Sequence, residues 1–148
     1  MDSVSEAVVT ANARFYRALG KADLEAMSDL WLHSDESTCV HPGWPMLEGW
    51  QAVRESWAAI FKNQGPFRAW PGKVAVHIDG TTAWVTRFAL RPIAENLDPS
   101  RKLTDVLIQT QATNIFRLTG GEWKMLHHHA SPLPTGGGLG QGGRISPN

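Results

Sequence analysis

Hydrophobic positions recur at helical spacing in three segments of the N-terminal half. Apolar residues return every three or four positions from Val4 to Leu19, from Leu24 to Trp31 and across Trp50–Asn63. This period is typical of amphipathic helices that bury one face. The pattern therefore predicts three helices.

The ends of the first two helices carry recognisable capping residues. Ser3 or Ser5 is a candidate cap for the first helix, and Gly20 is expected to end it. Asp23 is expected to cap the second helix. The two helices should therefore form a hairpin across a four-residue connection.

The hydrophobic period changes from helical to alternating in the second half of the chain, which is typical of strands. Asp79-Gly80 and Gly120-Gly121 are hairpin signals. The polar segment Ala94–Lys102 reads as a loop between strands. The predicted strands are Thr38–Val40, Phe67–Ile78, Thr81–Pro92, Leu103–Leu118 and Trp123–Pro132.

This order of elements predicts an α+β domain. Three helices from the first half should pack on the concave face of a curved, mostly antiparallel sheet, and the open end of such a cone is a natural pocket. We expect the domain to span residues 1–132. The Gly-rich segment 133–148 is expected to be a flexible tail.

Composition narrows the classes of function. The 148 residues carry 14 basic and 14 acidic side chains, so nucleic acid is not an expected partner. The single cysteine, Cys39, excludes an internal disulfide; it is either inert packing or a thiol beside His41. With no leader pattern and no long apolar run, we expect a cytoplasmic protein without a membrane span.

The last strand holds the most suggestive chemistry, a run of three histidines. Strict alternation would turn His127 and His129 into the fold and His128 outward. Two imidazoles beside apolar side chains indicate the polar end of a cavity, although an exposed strand end is the alternative. The inward face predicted by this alternation consists of Trp123, Met125, His127, His129 and Ser131.

Five other polar or aromatic residues have more than one interpretation each. Asn114 lies on an apolar strand face, where its amide either satisfies the backbone or enters the pocket. Arg87 either anchors an anionic group or, as we favour, emerges at the sheet edge or a dimer interface. Trp44 is a lid, a wall or packing. Tyr16 and Trp57 are predicted mainly to be core residues, and cavity lining is the less favoured alternative.

Several segments in this order resemble the nuclear transport factor 2-like superfamily, and its SnoaL-like branch in particular. The similar segments are Phe15–Met27, Val40-His-Pro-Gly43, Leu47-Glu-Gly49 and Trp123-x-x-x-His-x-His-x-Ser131. The resemblance covers roughly residues 5–132. It implies a cone-shaped α+β barrel that is often dimeric through its outer sheet face. Trp84, Phe88 and Gln111 are candidates for that contact.

The ketosteroid isomerases of this superfamily imply specific site positions. His41 matches the position of their catalytic base, and Asn114 falls near that of their protonated Asp. Their Tyr donor falls near Phe15, while Tyr16 is expected to point elsewhere. Isomerisation by that mechanism is therefore not expected.

The sequence thus predicts a protein that binds a small, largely apolar molecule and is either an enzyme or a binding module. As an enzyme it would be a cofactor-free isomerase, cyclase or hydratase using histidine acid–base chemistry. The alternative is an oligomerisation module resembling the association domain of a calmodulin-dependent kinase. Neither a cofactor nor a metal is expected, although three histidines form a known zinc set. The candidate catalytic residues are His41, His129 and Asn114, and the candidate ligand-binding residues are His127, Trp44, Phe15, Tyr16, Trp57 and Phe116.

Overall fold

The computed structural model describes residues 2–65, 67–70, 73–94 and 110–133. Its helices are α1 (Ser3–Lys21), α2 (Leu24–Leu30) and α3 (Trp50–Asn63). The strands are β1 (Thr38–Val40), β2 (Leu47–Glu48), β3 (Phe67–Trp70), β4 (Val74–Asp79), β5 (Thr82–Ala94), β6 (Thr110–Thr119) and β7 (Glu122–Pro132). None of the described helices is long and apolar enough to cross a membrane. Most of the predicted loop 94–102, the predicted strand before Thr110 and nearly all of the predicted tail lie outside the described residues.

The helix ends follow from local hydrogen bonding. Asp2 begins α1, because its carboxylate accepts from the backbone N–H of Ser5 at 2.7 Å, so the predicted serine caps were wrong. The helix continues through Gly20 to Lys21. Asp23 caps α2 as predicted, accepting from the N–H of Ala26 at 3.0 Å.

The predicted α+β fold is confirmed: three helices pack on a curved, unclosed sheet. The strand order is β2-β1-β7-β6-β5-β3, and β4 also pairs with β5. Among the strand pairs of the described residues, β1–β7 alone is parallel, so the sheet is mostly antiparallel. The single strand predicted over Phe67–Ile78 is divided between β3 and β4, which both pair with β5.

Alternation places one face of β5 and β6 against the helices. On β6, every second residue from Thr110 to Phe116 is buried, and on β5 Ala83, Val85 and Arg87 are buried. The helices contribute Phe15 and Trp57 to the same core. Truncating a core aromatic of this kind typically costs roughly 3–5 kcal/mol, so these rings are central to stability.

A β-bulge in β7 reverses the predicted faces of the histidine run. Ile115 pairs with His127, but the next residue, Phe116, pairs with Met125, so Leu126 is the extra residue. Beyond the bulge His128 turns inward and is buried, while His129 is exposed. The face predicted for His127 and His129 was therefore wrong, because simple alternation does not hold across an inserted residue.

Candidate functional site

A buried hydrogen-bond network crosses the interior between α1 and the sheet. The amide nitrogen of Asn114 donates to Asn12 Oδ1 at 2.8 Å and to the Tyr16 hydroxyl at 3.1 Å. Its carbonyl oxygen lies 2.6 Å from His128 Nδ1. All four residues are buried, and Asn114 is fully so. A satisfied polar network inside a core is rigid, so these side chains are held in one arrangement.

His128 faces this network from β7 and is surrounded by aromatic rings. Its ring centroid lies 4.6 Å from that of Phe15 and 6.0 Å from that of Trp57. Burial lowers the pKa of His128 well below its usual value, with further lowering from the charges of His41, His127, His129 and Arg87. The imidazole is therefore neutral at physiological pH.

His41 lies just after β1, on the other side of Trp57. Its ring is 3% exposed and meets the Trp57 ring edge-on at 4.5 Å. Its Nε2 lies 2.8 Å from Ser56 Oγ, and that hydroxyl donates to the backbone carbonyl of Val53 at 2.6 Å. Burial lowers the pKa of His41 to about 4. Trp44, 40% exposed, covers His41 from outside at a centroid distance of 4.9 Å.

Cys39 contacts the same imidazole but lacks the properties of a nucleophile. Its Sγ lies 3.7 Å from His41 Nε2 and 3.9 Å from Nδ1. Burial raises the pKa of the Cys39 thiol well above its usual value. The reactive thiolate is therefore scarce, and packing is the better interpretation of this cysteine.

Arg87 and Tyr16 both occupy the interior, which agrees with the prediction of Tyr16 as core but not with the sheet-edge or interface position favoured for Arg87, nor with the expectation that Tyr16 points away from the donor position. The Arg87 guanidinium lies over the Tyr16 ring at 3.6 Å, and only 2% of Arg87 is exposed. Arg87 is therefore not at the sheet edge. Burial raises the pKa of Tyr16, whereas the Arg87 charge and the hydrogen bond between Tyr16 and Asn114 lower it. Tyr16, one residue after Phe15, is thus the phenol that reaches the interior network.

The indole nitrogen of Trp57 is an unsatisfied group of this interior. Trp57 is 2% exposed, and its Nε1 is buried with no hydrogen-bond partner among the described residues. Buried donors normally have a partner. This N–H, on a ring that contacts His41 and lies near His128, therefore marks a place where a ligand or water oxygen would be stabilised.

The outer face of the sheet carries the two histidines that were expected inside. His127 is half-buried there and its Nδ1 lies 2.7 Å from Thr38 Oγ1; burial and the neighbouring His129 lower its pKa. Both rings line a groove of about 610 Å³. The structure therefore separates His127 and His129 from His41 and Asn114. The residues that line this groove are Thr86, Arg87, Gln111, Ala112, Thr113, Ile115, His127, His129 and Ser131.

The interior thus brings together His41, Asn114, Tyr16 and Trp57, with Phe15 and Phe116 as buried apolar walls. Sequence reasoning missed Asn12, Ser56 and the inward position of His128. Asn12 and Ser56 occupy helix faces next to apolar neighbours, a weak signal, and the bulge that turns His128 inward has no local mark. The described part of the chain contains no group of three or more residues arranged to hold a metal ion.

Three helices on a curved sheet that encloses such an interior define the NTF2-like fold, and sequence comparison identifies the branch. The SnoaL-like domain family matches residues 8–135. The chain therefore belongs to the SnoaL-like domain family.

Solved structures and a curated protein are similar to this chain. A candidate dehydratase of the NTF2-like family from Streptomyces avermitilis is 35% identical with a TM-score of 0.77, and the match covers 90% of this chain and 99% of that one. A candidate calcium/calmodulin-dependent protein kinase type II association domain from Thiobacillus denitrificans is 27% identical with a TM-score of 0.71, covering 84% and 93%. The F-box protein SKIP8 of Arabidopsis thaliana is 30% identical over 131 residues, 88% of this chain and 52% of that protein. The chain thus spans about half the length of the curated relative that it matches.

Proposed function

We propose that this SnoaL-like protein binds a small, largely apolar carbonyl compound inside the curved sheet and exchanges protons with it without a cofactor. The observation that carries the proposal is the buried Trp57 N–H, unpartnered among the described residues, on a ring that packs near two buried histidines. An apolar wall with a few convergent polar groups is the usual composition of a small-molecule site. The dehydratase name carried by a relative 35% identical to this chain supports an isomerase- or lyase-type reaction.

The chemistry assigns a separate task to each polar group. The neutral imidazole of His41 takes a proton from the carbon beside the carbonyl, and the electron pair moves toward the carbonyl oxygen. Tyr16 is the better donor to that oxygen, because both amide hydrogens of Asn114 are already used by Asn12 and Tyr16. The proton then returns to another carbon, or leaves with a hydroxyl group as water. Asn114 acts by holding Tyr16 and His128.

The walls of the site follow from burial. Phe15, Phe116 and Trp57 supply apolar surface, and each is at most 2% exposed. Trp44 lies partly exposed against His41, at the outer side of the site. His127 and His129 are placed on the outer sheet face and take no part in the proposed chemistry.

A test of this proposal uses the three histidines as a matched set. Untagged protein would be analysed by native mass spectrometry for a co-purifying small molecule, and then assayed against a library of apolar carbonyl compounds. We expect His41→Gln to lower turnover by at least about a hundredfold, a typical loss for a general acid or base, and His128→Gln to lower it as well, because it removes the contact that helps to hold Asn114. The exposed control His129→Gln should leave turnover unchanged. Equal losses in all three variants, or no bound or converted compound, would contradict the proposal.

We propose that the protein forms a homodimer through the outer sheet face. Its location in the cytoplasm stays a prediction. The groove and the partly exposed Trp84 provide a mixed apolar and polar surface for such a contact. The similarity to a candidate kinase association domain favours a second function, assembly alone. Sedimentation separates the two: a large ring with an empty interior would support assembly, whereas a dimer that binds a carbonyl compound would support the first.

A further inference from the structure

The hydrogen bonds of Ser56 determine which nitrogen of His41 carries the proton. A serine hydroxyl has one hydrogen, and the backbone carbonyl of Val53, 2.6 Å away, can only accept it. The Ser56 oxygen must therefore accept from His41 Nε2 at 2.8 Å. Neutral His41 is then protonated at Nε2, and its lone pair is at Nδ1. The nearest polar neighbour of Nδ1 in the described chain is the Cys39 thiol at 3.9 Å, a weak donor.

The same reasoning gives the opposite result for His128. Asn114 Nδ2 uses both hydrogens, on Asn12 and on Tyr16, which leaves only its carbonyl oxygen for His128. Because a carbonyl oxygen only accepts, His128 Nδ1 must donate across the 2.6 Å contact. Reversing the Asn114 amide alone would set its oxygen against the Asn12 oxygen. Neutral His128 is then protonated at Nδ1, and its lone pair is at Nε2.

We infer that Ser56 and Asn114 are positioning residues that hold His41 and His128 in opposite neutral tautomers, and that the site takes a hydroxyl-bearing carbonyl compound. The lone pairs of His41 Nδ1 and His128 Nε2 can each accept a donor hydrogen, and the Trp57 N–H, on a ring near both imidazoles, requires an acceptor oxygen. A plain ketone supplies only the acceptor. A hydroxy-ketone supplies both, and where its hydroxyl lies on the β-carbon, next to the carbon that loses the proton, it is also the group that an elimination would release as water. This ligand class rests on the proposed function, whereas the tautomers do not.

The tautomers can be measured without any substrate. Long-range proton–nitrogen correlation spectra of the full chain labelled with ¹⁵N-histidine distinguish the two neutral forms, and single His→Gln variants assign the six imidazoles. We expect His41 protonated at Nε2 and His128 at Nδ1 near neutral pH. Ser56→Ala should give His41 a mixture of tautomers, and Ser56→Thr, which keeps the hydroxyl, should restore one form. The opposite tautomer on either histidine of the unchanged protein would overturn the inference, whether or not the Ser56 variants fold.

The ligand class is tested with a pair of probes that differ by one hydroxyl group, phenacyl alcohol and acetophenone. Titration calorimetry, with the Trp57 indole resonance followed by NMR, should show phenacyl alcohol binding at least about tenfold more tightly. Equal affinities would overturn the hydroxyl requirement but leave carbonyl binding intact. If neither probe binds while the tautomers are as expected, the proposed function fails and the assignment of Ser56 and Asn114 stands.

Discussion

Replacing His41 by glutamine is expected to remove a defined part of the protein's acid sensitivity. Burial lowers the pKa of His41 from 6.5 to about 4 in the folded protein, whereas the unfolded chain keeps the ordinary value. Between these two pKa values the unfolded chain binds more protons than the folded one. The free energy of unfolding therefore falls as the pH falls from 6.5 toward 4, and this contribution is constant above and below that window.

The magnitude follows from the size of the shift. Each unit of pKa is worth about 1.4 kcal/mol, so His41 alone accounts for about 3 kcal/mol over the whole window. About 2 kcal/mol of this is lost between about pH 7.5 and about pH 5. His128 acts in the same direction, because burial lowers its pKa as well. The acid sensitivity of the unchanged protein should therefore exceed the contribution of His41.

Urea unfolding at a series of pH values measures this contribution. The difference in unfolding free energy between the unchanged protein and His41→Gln isolates His41, because the carboxylates are common to both. We expect this difference to shrink by about 2 kcal/mol from about pH 7.5 to about pH 5. The control His129→Gln, on the exposed outer face, should show no comparable change. A His41 difference that is independent of pH would refute the assignment of a buried, neutral imidazole.

Two further predictions concern the bulge and the cysteine. Deleting Leu126, the extra residue of the bulge, should leave His127 opposite Ile115 and His128 opposite Asn114, so the domain should lose no more than about 2 kcal/mol in urea unfolding, an ordinary cost for a single change. A much larger loss, or loss of the contact between His128 and Asn114, would count against the bulge. The buried Cys39 should resist Ellman's reagent in the native protein and react fully in denaturant, and rapid native labelling would show that its thiol is accessible.

The fold was predictable because its signals are local and repeat along each element. The apolar stripes of α1 and α3, the Asp23 cap and the Gly120-Gly121 turn each specify structure within a few residues. Asn114 was placed on the correct face because β6 alternates without interruption from Thr110 to Phe116. A regular alternation predicts the face on which a residue lies as well as the type of element, so it placed Asn114 correctly on the inner face.

The arrangement of the candidate site depended on contacts between distant parts of the chain. The bulge at Leu126 arises from pairing with β6, and one inserted residue exchanges His128 for His127 and His129 on the inner face. The network of Asn12, Tyr16 and Asn114 joins residues about a hundred positions apart in the sequence. Local pattern determined the helices, the strands and the family. Tertiary packing alone decided which imidazoles are buried, because desolvation and hydrogen bonding depend on what surrounds a side chain and not on its neighbours in sequence.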